Sequence, residues 1–171
     1  PTMLDTSNNN FTIFKPSITV TSPNGNETWR IGTQKTITWT SNNVNNVKIE
    51  YSTNNGTDWI SIAPSVAASL RSYDWTVPNN PSTECLVKIT DVSNINTNDV
   101  SNNKFTIYQP SLVLTSPDGA ESWRVGTSQN ITWQNNFVAN VKLEYTINDG
   151  TDWITIAAST PAAALTYAWV V

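Results

Sequence analysis

The sequence predicts an all-β chain of tandem antiparallel sandwiches, on three observations. Apolar and polar residues alternate with a period of two in segment after segment, the pattern of strands with one buried face. Pro, Gly and Asn punctuate those segments, and almost nowhere does a helical period take hold. The chain also repeats itself: shifted by 94 residues without a gap, Pro16–Val77 aligns with Pro110–Val171, and 34 of those 62 positions are identical.

The register of the repeat also extends backwards. Asp5, Ser7-Asn8-Asn9 and Phe11-Thr12-Ile13 match Asp99, Ser101-Asn102-Asn103 and Phe105-Thr106-Ile107. Residues 1–16 therefore read as the last strand of a preceding repeat, or as a donor strand. Residues 17–109 read as one whole repeat, and 110–171 as a second, incomplete at its C-terminal end. The chain is expected to be a window cut from a longer repeating array.

Within the whole repeat, Ile18-Thr19-Val20 alternates until Ser22-Pro23-Asn24-Gly25 breaks the strand, since proline cannot donate to a ladder. Thr28-Trp29-Arg30-Ile31 resumes it and Gly32 ends it. Thr36–Thr40 puts Ile37 and Trp39 on one face. Next comes Val47-Lys48-Ile49-Glu50-Tyr51, repeated as Val141-Lys142-Leu143-Glu144-Tyr145, with Lys48 and Glu50 on the outer face making weak surface pairs. Asn55-Gly56, and Asp149-Gly150 in the second copy, supply the positive-φ residues of a tight hairpin, whose return strand opens at Trp59 or Trp153. Ser72–Val77 alternates again. Cys85, Val87 and Ile89 share a face of the next strand, and Phe105 and Ile107 a face of the last. The one helix-permissive stretch, Ala157–Leu165, is interrupted by Pro161.

Seven or so strands in about 94 residues read as an immunoglobulin-like or fibronectin-III-like β-sandwich. One sheet should hold the Trp39 and Trp75 strands, the other the Tyr51, Val87 and Phe105 strands. Ile37, Trp39, Val47, Ile49, Tyr51, Tyr73, Trp75, Val87 and Ile89 should be buried. Lys15-Pro16-Ser17 and Gln109-Pro110-Ser111 should form extended, semi-rigid joints.

Ser-Pro-x-Gly-x-Glu-x-Trp-x-x-Gly from Ser22 and from Ser116 is followed by Ile-Thr-Trp, Gly-Thr-x-Trp and Tyr-x-Trp-x-Val-Pro, the last ending at Pro78. Together these resemble the immunoglobulin-like repeats of large secreted bacterial surface proteins. They are also similar to the N-terminal domain of fungal cell-wall glucan-assembly proteins. The resemblance implies an extracellular stalk, adhesin or cell-wall role, with no shared catalytic residues.

Composition narrows the chemistry. The chain has no His, which removes the usual nucleophilic triads, His-metal sites and imidazole acid–base catalysis together. Cys85 is the sole cysteine, so neither a disulfide framework nor a Cys-based zinc site can form; it reads as a buried core thiol. A net charge of −4 gives no basic footprint for nucleic acid or anionic membrane, and no apolar run is long enough to span a bilayer. Charged residues are 13% of the chain, leaving a surface mostly of Asn, Ser and Thr.

No catalytic, cofactor-binding or metal site is expected. Trp29, Trp39, Trp59 and Trp75, repeated as Trp123, Trp133, Trp153 and Trp169, could offer a sugar-stacking platform, but their phase with aliphatic neighbours assigns them to packing. Glu27 with Asp58, or Asp91 with Asp99, could serve calcium, yet no closely spaced run of acidic oxygens is present. Ser52-x-Asn54-x-Gly56-x-x-Trp59 resembles the Asp-box turn and is read as structural. Lys48 and Lys142 face outward, unsuited to a buried isopeptide bond. Asn10, Asn26, Asn55 and Asn130 head glycosylation sequons.

The first functional reading is a non-enzymatic extracellular repeat of a filament, stalk or surface-layer protein, whose partners are copies of itself or adjacent repeats. The second is a carbohydrate-binding or cell-wall-assembly module that contacts cell-surface glycans. A third is the accessory domain of a larger secreted hydrolase. Within the first, the incomplete second repeat and the orphan strand of residues 1–16 are complementary in kind, which suggests head-to-tail strand addition, although one strand would face a gap of two.

Overall fold

The computed structural model describes residues 3–171, and the chain divides into two units, Pro1–Ile107 and Tyr108–Val171. Unit 1 is built from β1 (Ser17–Ser22), β2 (Thr28–Arg30), β3 (Gln34–Asn42), β4 (Asn46–Ser52), β5 (Ile60–Ala67), β6 (Ser72–Thr76), β7 (Ser82–Asp91), β8 (Asn98–Val100) and β9 (Phe105–Tyr108). One sheet runs β1-β3-β6; the other runs β2-β9-β7-β4-β5, with β8 on β7. The expected partition of the strands between two sheets is the one observed. With β1, β3 and β6 facing β4, β7 and β9, this is the immunoglobulin-type arrangement of an ABE sheet over a CFG sheet.

Period-two alternation fills the space between the sheets. Ile18 and Val20 of β1, Ile37 and Trp39 of β3, Val47, Ile49 and Tyr51 of β4, Cys85, Val87 and Ile89 of β7, and Phe105 and Ile107 of β9 are all buried. Trp75 packs against Tyr51 and Trp29, ring centroids 4.9 and 6.0 Å away, and Trp29 against Phe105 at 5.0 Å. Tyr73, expected in the core, is only half-buried. It lies on β6, an edge strand, so one flank has no neighbour to cover it.

Three local expectations are corrected. The hairpin turn is not a tight one: the seven residues Thr53–Trp59 separate β4 from β5, and Trp59 lies in that loop. The loop is held by side chains. Asn54 N–H and Gly56 N–H donate to Ser52 Oγ (3.2 and 2.9 Å), Asp58 N–H to Asn54 Oδ1 (2.9 Å), and Asn54 Nδ2 to Asp58 Oδ2 (2.8 Å). Asn55 and Gly56 do carry the positive φ expected of them. The strand expected within residues 1–16 is not formed in this chain. From Met3 to Pro16 the backbone joins no sheet, because a lone strand has no ladder partner to hold it; residues 1 and 2 lie outside the described residues. Ala157–Leu165, interrupted at Pro161 as the sequence reads, is strand to Pro161 and then a 3-10 turn over Ala162–Ala164.

Glu50 is the third departure, since it is 8% exposed rather than a free surface group. β4 is flanked by both β5 and β7, and on the outer face Glu50 sits opposite Lys88 of β7. Its carboxylate takes Lys48 Nζ at 2.6 Å and Lys88 Nζ at 3.2 Å, while Lys88 lies 4.1 Å above the Trp59 ring. Burial pushes this carboxyl up, but the two lysines outweigh it and hold it below the ordinary glutamate range. A group more acidic folded than unfolded contributes its stability above its unfolded pKa, about 4.3 for Glu, and loses it as pH falls through the lower folded value. Glu50→Gln should therefore cost about 2 kcal/mol at pH 7 and almost nothing at pH 2. Urea midpoints at the two pH values check this, and an equal loss at both would refute the ion-pair account.

Unit 2 is built from β10 (Ser111–Ser116), β11 (Ser128–Asn136), β12 (Asn140–Tyr145), β13 (Ile154–Pro161) and β14 (Thr166–Val170). Sheet β10-β11-β14 repeats β1-β3-β6 with the same register, including the irregularity near the end of β10. The second sheet holds only β12 and β13. Ser122-Trp123-Arg124, the counterpart of β2, forms no strand, for β2 is held by β9 and no counterpart of β7–β9 is part of this sequence.

The shared Ser-Pro-x-Gly-x-Glu motif acts alike in both units. Glu27 accepts the N–H groups of Asn24 and Gly25, each at 2.8 Å; Glu121 accepts those of Asp118 and Gly119 at 3.0 and 2.9 Å. The Asp118 amide, with those of Glu121 itself and Gly119, holds the Glu121 carboxyl below its ordinary range. The two glycines differ in surroundings. A Cβ on Gly25 (φ +132°) would meet the Asn103 Cβ at 2.4 Å, whereas one on Gly119 (φ +125°) would meet nothing within 4 Å. Gly25→Ala should thus cost about 1–3 kcal/mol more than Gly119→Ala, because the first adds overpacking to the shared backbone strain. Thermal unfolding of the two variants compares them; equal shifts would contradict the close packing of this loop.

Candidate functional site: an open apolar face on the second unit

Unit 2 presents the inner face of a sandwich without its cover. Leu112 and Leu114 of β10, Ile131 and Trp133 of β11, Val141, Leu143 and Tyr145 of β12, and Trp169 of β14 line a cleft of about 230 Å³. The repeat makes the comparison direct. Val20 of β1 is 1% exposed, and its counterpart Leu114 is 52% exposed. Ile18 is buried and Leu112 is not; Tyr51 and Trp75 are buried, Tyr145 and Trp169 half-buried. In unit 1 the difference is made up by Cys85, Val87, Ile89, Phe105 and Ile107, which fill this volume from β7 and β9.

The face is preorganised. Trp123 meets Trp169 edge-on at 6.2 Å and 67°, and Tyr145 lies 5.0 Å from Trp169; the matching values in unit 1 are 6.0 Å and 63°, and 4.9 Å. The aromatic frame that receives Phe105 in unit 1 thus stands in unit 2 without a phenylalanine. Among the described residues β12 pairs with β13 alone.

The residues weighed for chemistry are otherwise engaged. Glu27 clamps its own turn, and Asp58 closes the Thr53–Trp59 loop. Asp91 accepts Ser93 N–H and Oγ–H at 2.9 and 2.6 Å, and Asp99 accepts Val20 N–H at 2.8 Å. Neither pair converges on a common point, and among the described residues no three acidic or sulfur side chains group as a metal site would need. Cys85 is fully buried, donates to Ser82 O at 3.4 Å, and burial pushes its thiol up, away from the reactive thiolate. Of the tryptophans, Trp29, Trp39, Trp75 and Trp133 are core; Trp153 is 58% exposed. Asn10, Asn26, Asn55 and Asn130 are all exposed. No described helix is long and apolar enough to cross a membrane.

The bare edge of the Tyr145 strand was legible from the repeat. The loss of strand at Ser122-Trp123-Arg124 is not marked in that segment itself, and its signal lies in the missing counterpart of Phe105-Thr106-Ile107.

No family model matches the chain, and no curated protein does. Among solved structures it is similar to the fibronectin(III)-like modules of Clostridium thermocellum CbhA, at 18% identity over 54% of this chain and 96% of that one, with a TM-score of 0.41. It is also similar to the DIP-gamma IG1+IG2 structure, at 8% identity over 90% and 83% of the two chains, with a TM-score of 0.37. The fold assignment rests on the strand order described above.

Proposed function

We propose that this chain is a non-enzymatic structural module of an extracellular filament, stalk or surface layer, assembling head to tail. One observation carries the reading: the chain repeats one sandwich plan in tandem, with the same sequence, strand register and aromatic frame in both units. A contact between unlike surfaces of identical copies propagates instead of closing, which makes a fibre. The polar, weakly charged surface and the absence of His support a passive exterior role.

Negative-stain microscopy and sedimentation of the full chain at rising concentration test this. Fibres one module wide are expected; a chain that stays monomeric at high concentration, with its unit 2 intact, would overturn the reading. The carbohydrate-binding alternative has its best residue in Trp153, whose counterpart Trp59 is covered by Lys88. Tight glycan binding abolished by Trp153→Ala would favour that role instead.

A further inference from the structure

We propose that Asn55 is a site of spontaneous deamidation whose rate is set by the Ser52 hydroxyl, while Asn24, in the chain's other Asn-Gly pair, is protected. Asn-Gly favours this reaction because glycine has no Cβ to shield its backbone nitrogen. That nitrogen attacks Cγ of the asparagine. The N–Cγ bond forms, the Cγ–Nδ2 bond breaks, and Nδ2 leaves as ammonia with the proton that the glycine amide gives up. Water then opens the resulting imide on either side, to aspartate or to isoaspartate.

Both glycine nitrogens are held in the folded chain, but by unequal means. Gly25 N–H donates to Glu27 Oε2 and Asn24 N–H to Glu27 Oε1, each at 2.8 Å. A carboxylate acceptor opposes loss of the amide proton, since it would leave two negative charges side by side. The Asn24 carboxamide is anchored too, its Oδ1 accepting Asn102 N–H at 2.7 Å, and Asn24 is half-buried. Nucleophile and electrophile are each fixed there. At the other pair, Gly56 N–H donates to Ser52 Oγ, a neutral hydroxyl, at 2.9 Å. The Asn55 carboxamide is exposed, and among the described residues no bond like that of Asn24 Oδ1 holds it.

The second unit shows what the product can be, since Asp118-Gly119 and Asp149-Gly150 stand at these two positions. Around Asp149, Gly150 N–H donates to Thr146 Oγ1 at 3.1 Å, Asp152 N–H to Asn148 Oδ1 at 2.9 Å, and Asn148 Nδ2 to Asp152 Oδ2 at 2.8 Å. The Asn55 loop has the same three bonds at 2.9, 2.9 and 2.8 Å, and φ is 57° at Asn55 against 56° at Asp149. Aspartate at position 55 therefore leaves the loop intact. It adds one negative charge to the groove that Asn55 lines with Asn26, Asn102, Asn103 and Lys104. Isoaspartate adds a methylene to the main chain and breaks the register of these bonds.

Peptide mapping by mass spectrometry of the full chain, aged in mildly alkaline buffer, tests this. Rates in urea give the intrinsic reactivity of each pair, against which the folded rates are set. In folded wild type Asn55 should be about tenfold less protected than Asn24, a difference of about one hydrogen bond. Ser52→Ala should speed Asn55 by about tenfold and leave Asn24 unchanged. Ser52→Thr, which installs the residue unit 2 has at that place, should keep the wild-type rate. Asn55 as well protected as Asn24 in folded wild type would overturn the proposal. So would a Ser52→Ala chain in which Asn55 is no faster, or in which both sites speed up equally, because unfolding and not the hydroxyl would then set the rate.

Discussion

Trp39→Ala should lower the stability of unit 1 by about 4 kcal/mol, the largest loss expected from any single truncation in the chain. The ring is 1% exposed and sits at the centre of the three-stranded sheet, between β1 and β6. Its indole N–H donates to Ala68 O at 3.2 Å, tying β3 to the 3-10 turn Ala68–Leu70 that leads into β6; Trp133 does the same with Ala162 O at 2.8 Å. Truncation opens a cavity that a well-packed sandwich cannot collapse into, and removes this tie. Trp39→Phe separates the two causes, because it keeps most of the volume and loses the N–H. Urea unfolding of both variants, followed by near-UV circular dichroism, measures the difference. A loss under about 1 kcal/mol for the alanine variant would mean that Trp39 is not the centre of this core.

How much of this could be read from the chain depends on the range of the interaction. Strands with one face buried announce themselves locally, so β1, β3, β4, β7 and β9 follow from alternation alone. Their assignment to two sheets follows from topology common to such sandwiches. What alternation misses is burial set by a neighbour. Glu50 and Tyr73 each obey the period-two pattern, yet Glu50 is covered by strands on both sides and Tyr73 is not, because β4 is central and β6 is an edge. The Asn55-Gly56 signal correctly marked positive φ, but loop length was set by the Ser52, Asn54 and Asp58 side chains, a pattern read as structural without its span. The open face was legible only through the repeat, which says what ought to cover it. Without a second copy inside the same sequence, Leu112 and Leu114 would look like two ordinary strand residues.

Backbone amides in β11 and β12 of this 171-residue chain should exchange with solvent about 1,000-fold faster than those in β3 and β4, a gap of about 4 kcal/mol in opening free energy. The reason is the same missing cover. Leu112 and Leu114 each forgo about half the burial of a core aliphatic, roughly 1 kcal/mol apiece. β12 also lacks the ladder that β4 makes with β7 from Val47 to Ser52, so its amides have one protecting neighbour instead of two. The comparison is internal, made on one molecule under one condition, and Val47, Ile49 and Tyr51 have chemically close counterparts in Val141, Leu143 and Tyr145. Equal protection in the two units would show that the sandwich of unit 2 is stable with only β10–β14.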